Sequence, residues 1–189
     1  MNNNSVKKKD KVYIISGKFK GRKISFKNIS NLRPTTNQIR ETLFNWLSKY
    51  IKNARCLDCF AGTGSLGIEA LSRQAKFLTF LEIQKNTFLN LKKNINELNI
   101  SNAEILYTNA LHWIKKNNQP YDIIFIDPPY YQGLIKKTIT LLENNKWIKN
   151  NSLVYIEQEK KNIKMSKNWI LYKKKITNKI ECYLYIFKI

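Results

Sequence analysis

Three observations on the sequence predict an α/β fold with a doubly wound, mostly parallel sheet. Beyond Arg55, five short apolar runs typical of buried strands alternate with segments of helical periodicity. A glycine-rich turn links the first of these strands to the first helix. The last two apolar runs follow each other without a helix, so the chain should close with an antiparallel hairpin on the same sheet.

The apolar periodicity places the elements of this core in order along the chain. Strands are predicted at Cys56–Phe60, Phe77–Ile83, Ala103–Asn109, Tyr121–Asp127 and Leu153–Glu157, with hairpin strands at Trp169–Ile176 and Ile180–Phe187. Helices are predicted at Ser65–Arg73, Lys85–Asn99, Leu111–Asn117 and Leu134–Asn144. Helical connections between parallel strands should cover both faces of the sheet.

The N-terminal part has a different pattern from this core. Residues 1–11 are polar and lysine-rich, which predicts a disordered basic arm. Residues 12–50 should form a small unit, a hairpin and a helix, in front of a main domain at 51–189. Two apolar runs around a turn with two glycines predict the hairpin. Thr35 and Gln38 have the spacing of a capping box that would begin the helix.

The 189-residue chain carries a formal net charge of +21, which favours a polyanionic partner such as RNA. Lysine, asparagine and isoleucine are abundant throughout, so the codon bias of an AT-rich genome is a second explanation for part of this charge. No apolar segment resembles a signal peptide or is long enough to span a bilayer, and we expect a cytoplasmic protein. With a single histidine, the cysteines Cys56, Cys59 and Cys182 do not form a metal-ligand set, so we expect buried thiols and no metal.

A glycine-rich turn between Asp58 and Gly67 is a candidate ligand loop. Its glycines have the spacing G-x-G-x-x-G at Gly62, Gly64 and Gly67, which allows a tight turn and close approach of a ligand to the backbone. Glu82 ends the next strand, where a carboxylate can bind both hydroxyls of a ribose. NAD and S-adenosylmethionine both fit this pattern. Asp58 favours S-adenosylmethionine, because a carboxylate there suits an ammonium group and would repel a pyrophosphate.

Two residues after the third strand of the core extend this candidate site. The side-chain amide of Asn109 and the N–H of Ala110 can contact the edge of an adenine ring. A simpler interpretation is that Asn109 is only the N-cap of the following helix.

The segment Asp127-Pro128-Pro129-Tyr130 stands at the end of a strongly apolar strand. The two prolines end the strand and fix the backbone beyond it. Ligands bind at this end of the strands in open α/β sheets. The Asp127 carboxylate and the Pro128 carbonyl can accept the two N–H groups of an exocyclic amine, and Tyr130 can stack on a base. The segment therefore predicts an amine-binding site for a flat base, with a strand-ending turn as the alternative.

Together these residues resemble an S-adenosylmethionine-dependent class I methyltransferase with a Rossmann-like fold, of the group that methylates amines. Three segments narrow the resemblance: Ile14 to Lys23, Leu32 to Leu47 with its Arg33-Pro34-Thr35-Thr36, and Leu57 to Arg73. They closely resemble the bacterial RsmD family. The resemblance implies methyl transfer from S-adenosylmethionine to N2 of one guanine in 16S ribosomal RNA, within the small ribosomal subunit, by a protein expected to be monomeric.

Three alternatives remain open at this point. An adenine-N6 methyltransferase acting on DNA or RNA would use the same Asp127-to-Tyr130 segment, and only the N-terminal resemblance separates it from a guanine enzyme. An NAD-dependent oxidoreductase is disfavoured by Asp58. A non-catalytic RNA-binding protein is disfavoured by the intact glycine turn. A guanine site also needs an acceptor for the N1–H group, and Tyr131 and Gln132 are the candidates from sequence.

Overall fold

The structure is a computed structural model. It describes residues 10–26, 36–116, 119–129, 133–158, 163, 165–178 and 180–189. Its strands are β1 (Asp10–Tyr13), β2 (Lys23–Phe26), β3 (Arg55–Asp58), β4 (Phe77–Glu82), β5 (Ala103–Tyr107), β6 (Tyr121–Ile126), β7 (Ile148–Gln158), β8 (Trp169–Ile176) and β9 (Glu181–Phe187). Its helices are α1 (Asn37–Trp46), α2 (Ser65–Ser72), α3 (Lys85–Glu97), α4 (Ala110–Trp113) and α5 (Leu134–Asn144).

The central sheet has the strand order β5-β4-β3-β6-β7-β9-β8. Strands β3 to β7 run parallel, and β9 lies antiparallel between β7 and β8. The chain moves outward from β3 to β5 and then returns to β6 on the other side of β3. The predicted fold class, a doubly wound and mostly parallel sheet with a C-terminal antiparallel hairpin, is confirmed. The crevice between β3 and β6 is the switch point at which such sheets bind ligands.

Two apolar cores lie on the two faces of this sheet. One contains Leu43 of α1, Ile68 of α2 and Leu91 of α3, packed on the sheet face that includes Phe125. The other contains Leu142 of α5 together with Trp147 and neighbouring apolar residues. Strands β4 and β6 bury residues on both faces because helices cover both sides, whereas the edge strand β5 is only partly buried.

The N-terminal hairpin β1–β2 is held against α2 by buried polar contacts. The carboxylate of Glu69, in α2, accepts hydrogen bonds from the N–H groups of Ile15 and Ser16 at 2.8 and 3.0 Å. Gly17 has a φ of +85°, and a side chain there would overlap the backbone of Ser72. The hairpin therefore packs against the helix that follows the glycine-rich turn, and its apolar side chains join the same core as α1 and α2.

A buried ion pair reinforces this arrangement. Arg40 of α1 is fully buried, with Nη1 3.8 Å from Glu69, and Nη2 donates to the carbonyl of Tyr13 at 2.7 Å. Arg73 donates to Glu69 from the other side at 2.8 Å. Burial lowers the pKa of Arg40 while Glu69 opposes that shift. Removing Glu69 alone would leave Arg40 as a buried charge without its carboxylate partner.

Several predicted boundaries are corrected by the structure. The N-cap of α1 is Thr36, whose hydroxyl accepts from the N–H of Ile39 at 3.4 Å, so the predicted capping box is one residue off. Gln38 is exposed and is not in the position to complete such a box. Thr35 lies outside the described residues.

Other corrections concern the core elements and the arm. The short helix after β5 is α4, with four residues, instead of the predicted segment Leu111–Asn117. Strand β7 begins at Ile148 rather than Leu153, because the three residues after Ile148 are polar and exposed and interrupt the apolar signal. Residues 1–9 of the predicted arm lie outside the described part, while Asp10 and Lys11 begin β1. The division at residues 50 and 51 stays a prediction.

Candidate active site

Four acidic side chains stand next to one another at the carboxyl ends of the central parallel strands. Glu82 ends β4, Asp58 ends β3, Asp127 directly follows β6, and Glu157 lies near the end of β7. Because the strand order is β4-β3-β6-β7, these residues follow that same order along the edge. A chain with a net charge of +21 therefore concentrates negative charge at its switch point.

The glycine-rich turn crosses the top of β3 and leads into α2. The N–H of Ala61 donates to the carbonyl of Leu81 at 3.0 Å, which ties the turn to β4. Gly62 and Gly64 have φ values of 52° and 78°, which are left-handed conformations that favour glycine. Gly64 is the N-cap of α2, so the first N–H groups of that helix face the turn. The turn thus offers backbone donors close to the end of β3.

Gly67 serves a different purpose from the two glycines of the turn. A Cβ atom there would overlap the ring of Phe80 and lie 2.9 Å from Leu78 Cδ2. Both neighbours belong to β4, so the absence of a side chain lets α2 pack directly against the sheet. This close packing fixes the height of the helix N-terminus over the strand ends.

Asp58 is the most perturbed of the acidic groups. Burial raises its pKa to about 7, the nearby Asp127 adds to this, and the N–H groups of Phe60 and Gly67 oppose it. Its side chain is almost fully buried, and Oδ1 has no hydrogen-bond partner. A buried acceptor without a donor is costly. The site is therefore suited to a ligand that brings a donor, and most strongly to a cationic one.

Glu82 is held in a fixed orientation by the turn. Its Oε2 accepts from the N–H of Gly62 at 2.9 Å, and its Oε1 accepts from the N–H of Gln84 at 2.6 Å. Burial raises its pKa, while these hydrogen bonds oppose the shift. Each carboxylate oxygen can accept more than one bond, so Glu82 keeps the capacity to bind further hydroxyl groups.

Asn109 and Ala110 stand at the start of α4. The Asn109 side chain accepts from the N–H of His112 at 3.2 Å, so Asn109 is the N-cap of the helix. Ala110 is the first residue of α4 and is buried. Capping by the Asn109 oxygen does not use its amide N–H groups. The contact of these two residues with an adenine ring stays a prediction.

The segment directly after β6 contains three of the predicted catalytic residues, Asp127, Pro128 and Pro129. Asp127 is half-buried, Pro128 is buried and Pro129 is exposed. Asp58 pairs with Phe125 of β6, two residues before Asp127, and the charge of Asp127 contributes to the raised pKa of Asp58. Tyr130, Tyr131 and Gln132 lie outside the described residues, and their predicted roles stay predictions.

Sequence reasoning missed Glu157. It is buried, and the hydroxyl of Tyr155 donates to its Oε2 at 2.9 Å. Glu157 is the last residue of a strand that the sequence did predict. The available signal was its position: a charged residue at the carboxyl end of a buried strand, next to the strand that precedes Asp127.

The fold and this site define the class of protein: it is a class I, S-adenosylmethionine-dependent methyltransferase. A methyltransferase structure from Escherichia coli superposes with a TM-score of 0.88 at 40% identity, covering 95% of this chain and 99% of that one. A methylase structure from Haemophilus influenzae gives a TM-score of 0.83 at 43% identity, covering 95% and 100%.

The family follows from the sequence comparisons. The family model described as "Conserved hypothetical protein 95" matches residues 12–186, and the chain belongs to this family. The "Ribosomal RNA small subunit methyltransferase D" of Buchnera aphidicola subsp. Acyrthosiphon pisum is 75% identical over 98% of both chains. The protein of the same name from Escherichia coli K12 is 42% identical, covering 92% of this chain and 89% of that one. The resemblance to the RsmD family is confirmed.

The described residues contain neither a cluster of metal ligands nor a helix that could span a membrane. Within those ranges, no group of three or more His, Cys, Asp or Glu side chains is arranged to hold a metal ion. Within the same ranges, none of the helices has the length and apolar character needed to cross a membrane.

Proposed function

We propose that the protein transfers a methyl group from S-adenosylmethionine to the exocyclic N2 of a guanine in 16S ribosomal RNA. The names of its close relatives support a small-subunit ribosomal RNA substrate. The observation that carries the proposal is the position of Asp127 and Pro128 directly after β6, whose neighbour β3 ends at Asp58, at the switch point of the sheet. The proposal assigns the target amine to Asp127 and the cofactor to Asp58.

The residues present fit S-adenosylmethionine. Asp58 has a buried oxygen without a partner, which suits the ammonium group of a methionine moiety. Glu82 is oriented by two backbone N–H groups and keeps acceptor capacity for ribose hydroxyls. Ile83 follows it and is 53% exposed, so it offers apolar surface to an adenine ring near Asn109 and Ala110. Gly62 and Gly64 let the backbone approach this ligand closely.

The chemistry is a displacement between two positioned groups, and the sulfonium supplies an activated methyl group when bound. The chain contributes by holding the acceptor amine in line with that methyl group, which is mainly an effect of proximity and orientation. Asp127 and the carbonyl of Pro128 accept the two amine N–H groups and favour the nucleophilic form of the nitrogen as positive charge develops. Asp127 also accepts the proton that the nitrogen releases, directly or through water.

The N-terminal hairpin provides the surface that we assign to RNA phosphates. Lys18, Lys20 and Lys23 are exposed on it, and Arg22 is exposed with one N–H donating to the carbonyl of Glu97. Cations on one side of a protein release counterions from a nucleic acid on binding. We propose that this surface contacts the small ribosomal subunit and that the enzyme acts as a monomer.

The proposal is tested by identifying the methylated nucleoside. Small ribosomal subunits from cells lacking this gene are incubated with the protein and radiolabelled S-adenosylmethionine, and their RNA is digested to nucleosides. Labelled N2-methylguanosine is the expected product. Labelled N6-methyladenosine would instead establish an adenine-N6 methyltransferase, and absence of label from the RNA of the subunits would refute the small-subunit substrate.

A further inference from the structure

The order of the strands gives the order of the ligand groups along the active-site edge. Glu82 on β4 faces the ribose in the proposed complex, Asp58 on β3 faces the methionine ammonium, and Asp127 after β6 faces the target amine. The next strand in the sheet is β7. A side chain at its carboxyl end is therefore placed to meet the base itself, one strand beyond the amine.

The strand register identifies this side chain as Glu157. Phe125 of β6 pairs with Tyr155 of β7, and both point into the same apolar core. Side chains alternate along a strand, so Glu157, two residues beyond Tyr155, shares its face. Asp127 directly follows Ile126, the last paired residue of β6, and its charge, like that of Glu157, raises the pKa of the Tyr155 hydroxyl. Adjacent strands are about 5 Å apart. The two carboxylates thus lie side by side, with Asp127 nearer the cofactor and Glu157 further from it.

Glu157 is held in place by contacts within its own face of the sheet. It is 4% exposed, and Tyr155 donates to its Oε2 at 2.9 Å. Burial, and then Glu157 itself, raise the pKa of the Tyr155 hydroxyl well above its ordinary value, so Tyr155 stays a donor. A carboxylate has about four acceptor positions, so the bond from Tyr155 does not by itself fill Glu157.

We propose that Glu157 determines base specificity by accepting the N1–H group of the target guanine. The inference rests on the proposed function, and it adds the residue that distinguishes guanine from adenine. In guanine the N1–H donor lies directly beside the N2 amine on the same edge of the ring. A carboxylate next to the amine-binding Asp127 meets that donor. Adenine places a lone pair at N1, which a carboxylate would repel.

This assignment separates two tasks that one carboxylate would otherwise share. Asp127 receives one N–H of the amine that is methylated, and its bond changes during the reaction. Glu157 contacts an atom that does not react, so it orients the ring and leaves the chemistry to Asp127. A site with a dedicated acceptor discriminates strongly against an analogue that lacks the donor. The predicted candidates Tyr131 and Gln132 are not needed for this role.

The first test uses the wild-type protein and a base analogue. Small subunits are rebuilt with 2-aminopurine at the guanine that the product-mapping experiment identifies. This analogue keeps the amine but presents a lone pair at N1. We expect methylation of 2-aminopurine to be slower than that of guanine by about a hundredfold or more in kcat/KM. Equal rates on the two bases would overturn the proposal without any variant.

The second test uses Glu157→Gln, which keeps the size of the side chain and adds an amide donor. Guanine methylation should fall about tenfold to a hundredfold with the loss of a charge-assisted bond. The preference for guanine over 2-aminopurine should shrink at least tenfold, because glutamine can donate to N1. The analogue also lacks the guanine O6, but that loss affects both enzymes equally and leaves the comparison of ratios valid.

A control variant and a variant of the positioning residue Tyr155 complete the test. Glu104→Gln makes the same chemical change at an exposed position of β5 and should keep both the rate and the base preference. Tyr155→Phe removes the positioning bond and should reduce the preference for guanine by a smaller factor than Glu157→Gln. Calorimetric titration should show unchanged S-adenosylmethionine affinity in all three, which confirms that the fold is intact.

The outcomes separate this inference from the proposed function. If the wild type yields N2-methylguanosine and Glu157→Gln lowers guanine and 2-aminopurine methylation by the same factor, Glu157 is only structural and the inference is wrong. If the wild type yields no N2-methylguanosine, the proposed function itself fails.

Discussion

Asp58→Asn is the substitution that best tests the electrostatics of the site. Asp58 is almost fully buried, and its pKa is raised by burial, and then by Asp127, to about 7. The pKa of this carboxyl group is about 4 in the unfolded chain and about 7 in the folded protein. Its contribution to stability is therefore fully present below pH 4. That contribution declines as the pH rises and is lost once the pH passes 7. Asparagine keeps the shape of the side chain but cannot ionise.

The magnitude follows from the pKa. One pKa unit corresponds to about 1.4 kcal/mol, so between pH 5 and pH 8 the wild type should lose about 3 kcal/mol of unfolding free energy through this group. Asp58→Asn should not lose this free energy, so the variant should become more stable relative to the wild type as the pH rises. The measurement is urea unfolding of both proteins at pH 5, 6, 7 and 8 without ligand.

The same substitution should have the opposite effect on ligand binding. An ammonium ligand favours the ionised carboxylate, so wild-type affinity for S-adenosylmethionine should rise with pH up to about 7 and then level off. Asp58→Asn should bind about tenfold to a hundredfold more weakly at pH 8, because a charge-assisted hydrogen bond is lost, and should show no such pH dependence. Isothermal titration at the same four pH values measures both effects.

Asp122→Asn is the matched control on the neighbouring strand. Burial opposes ionisation of Asp122, but hydrogen bonds from Lys149 and the N–H of Arg55 outweigh it and lower its pKa. Its contribution to stability is therefore lost only as the pH falls through this lowered value. Asp122→Asn should leave the slope between pH 5 and pH 8 unchanged. Identical slopes for wild type and Asp58→Asn would refute the reasoning about Asp58.

Three further predictions concern the rate, the packing and the RNA surface. Asp127→Ala should lower the rate of single-turnover methylation at least about a hundredfold, and wild-type turnover would exclude Asp127 from the mechanism. The variant should keep its affinity for S-adenosylmethionine in titrations, because removing a neighbouring charge favours the ionised form of Asp58. Gly67→Ala should destabilise the protein by about 1–3 kcal/mol in urea unfolding, through overpacking against β4, and an unchanged midpoint would contradict the close packing. Replacing Lys18 and Lys20 by glutamine should flatten the log–log salt dependence of subunit binding by roughly one unit per lost contact, and an unchanged slope would assign these lysines to genome composition.

The core of the fold was predictable because its signals are local. Strand β8 and helix α5 begin and end where the apolar periodicity places them. Strand β7 was predicted too short because three polar, exposed residues follow its first residue, Ile148, and interrupt the apolar periodicity. The N-cap of α1 was misplaced because two threonines stand in succession and only the backbone geometry selects Thr36.

The residues of the candidate site were predictable where they belong to a sequence motif. They were not predictable where only the pairing of strands brings them into the site. The glycine turn, Glu82 and the Asp127 segment have recognisable spacing along the chain. Glu157 belongs to no recognisable spacing along the chain. Its position beside Asp127 depends on the pairing of β6 with β7, two strands whose paired residues are far apart in sequence. The contact between Glu69 and the hairpin was missed for the same reason, because it joins residues more than fifty positions apart.

The position of β9 has a consequence for how the protein forms during synthesis. This strand comes after β7 and β8 in the sequence, yet it lies between them in the sheet. Strand β8 therefore has no partner in the sheet until β9 has been made. Because the ribosome synthesises the chain from the N-terminus to the C-terminus, the five parallel strands can assemble first, while the edge of β7 is still unpaired. We expect closing of that edge by β9 to be the last step, so a protease present during translation should cleave between β7 and β9 more readily than in the finished protein.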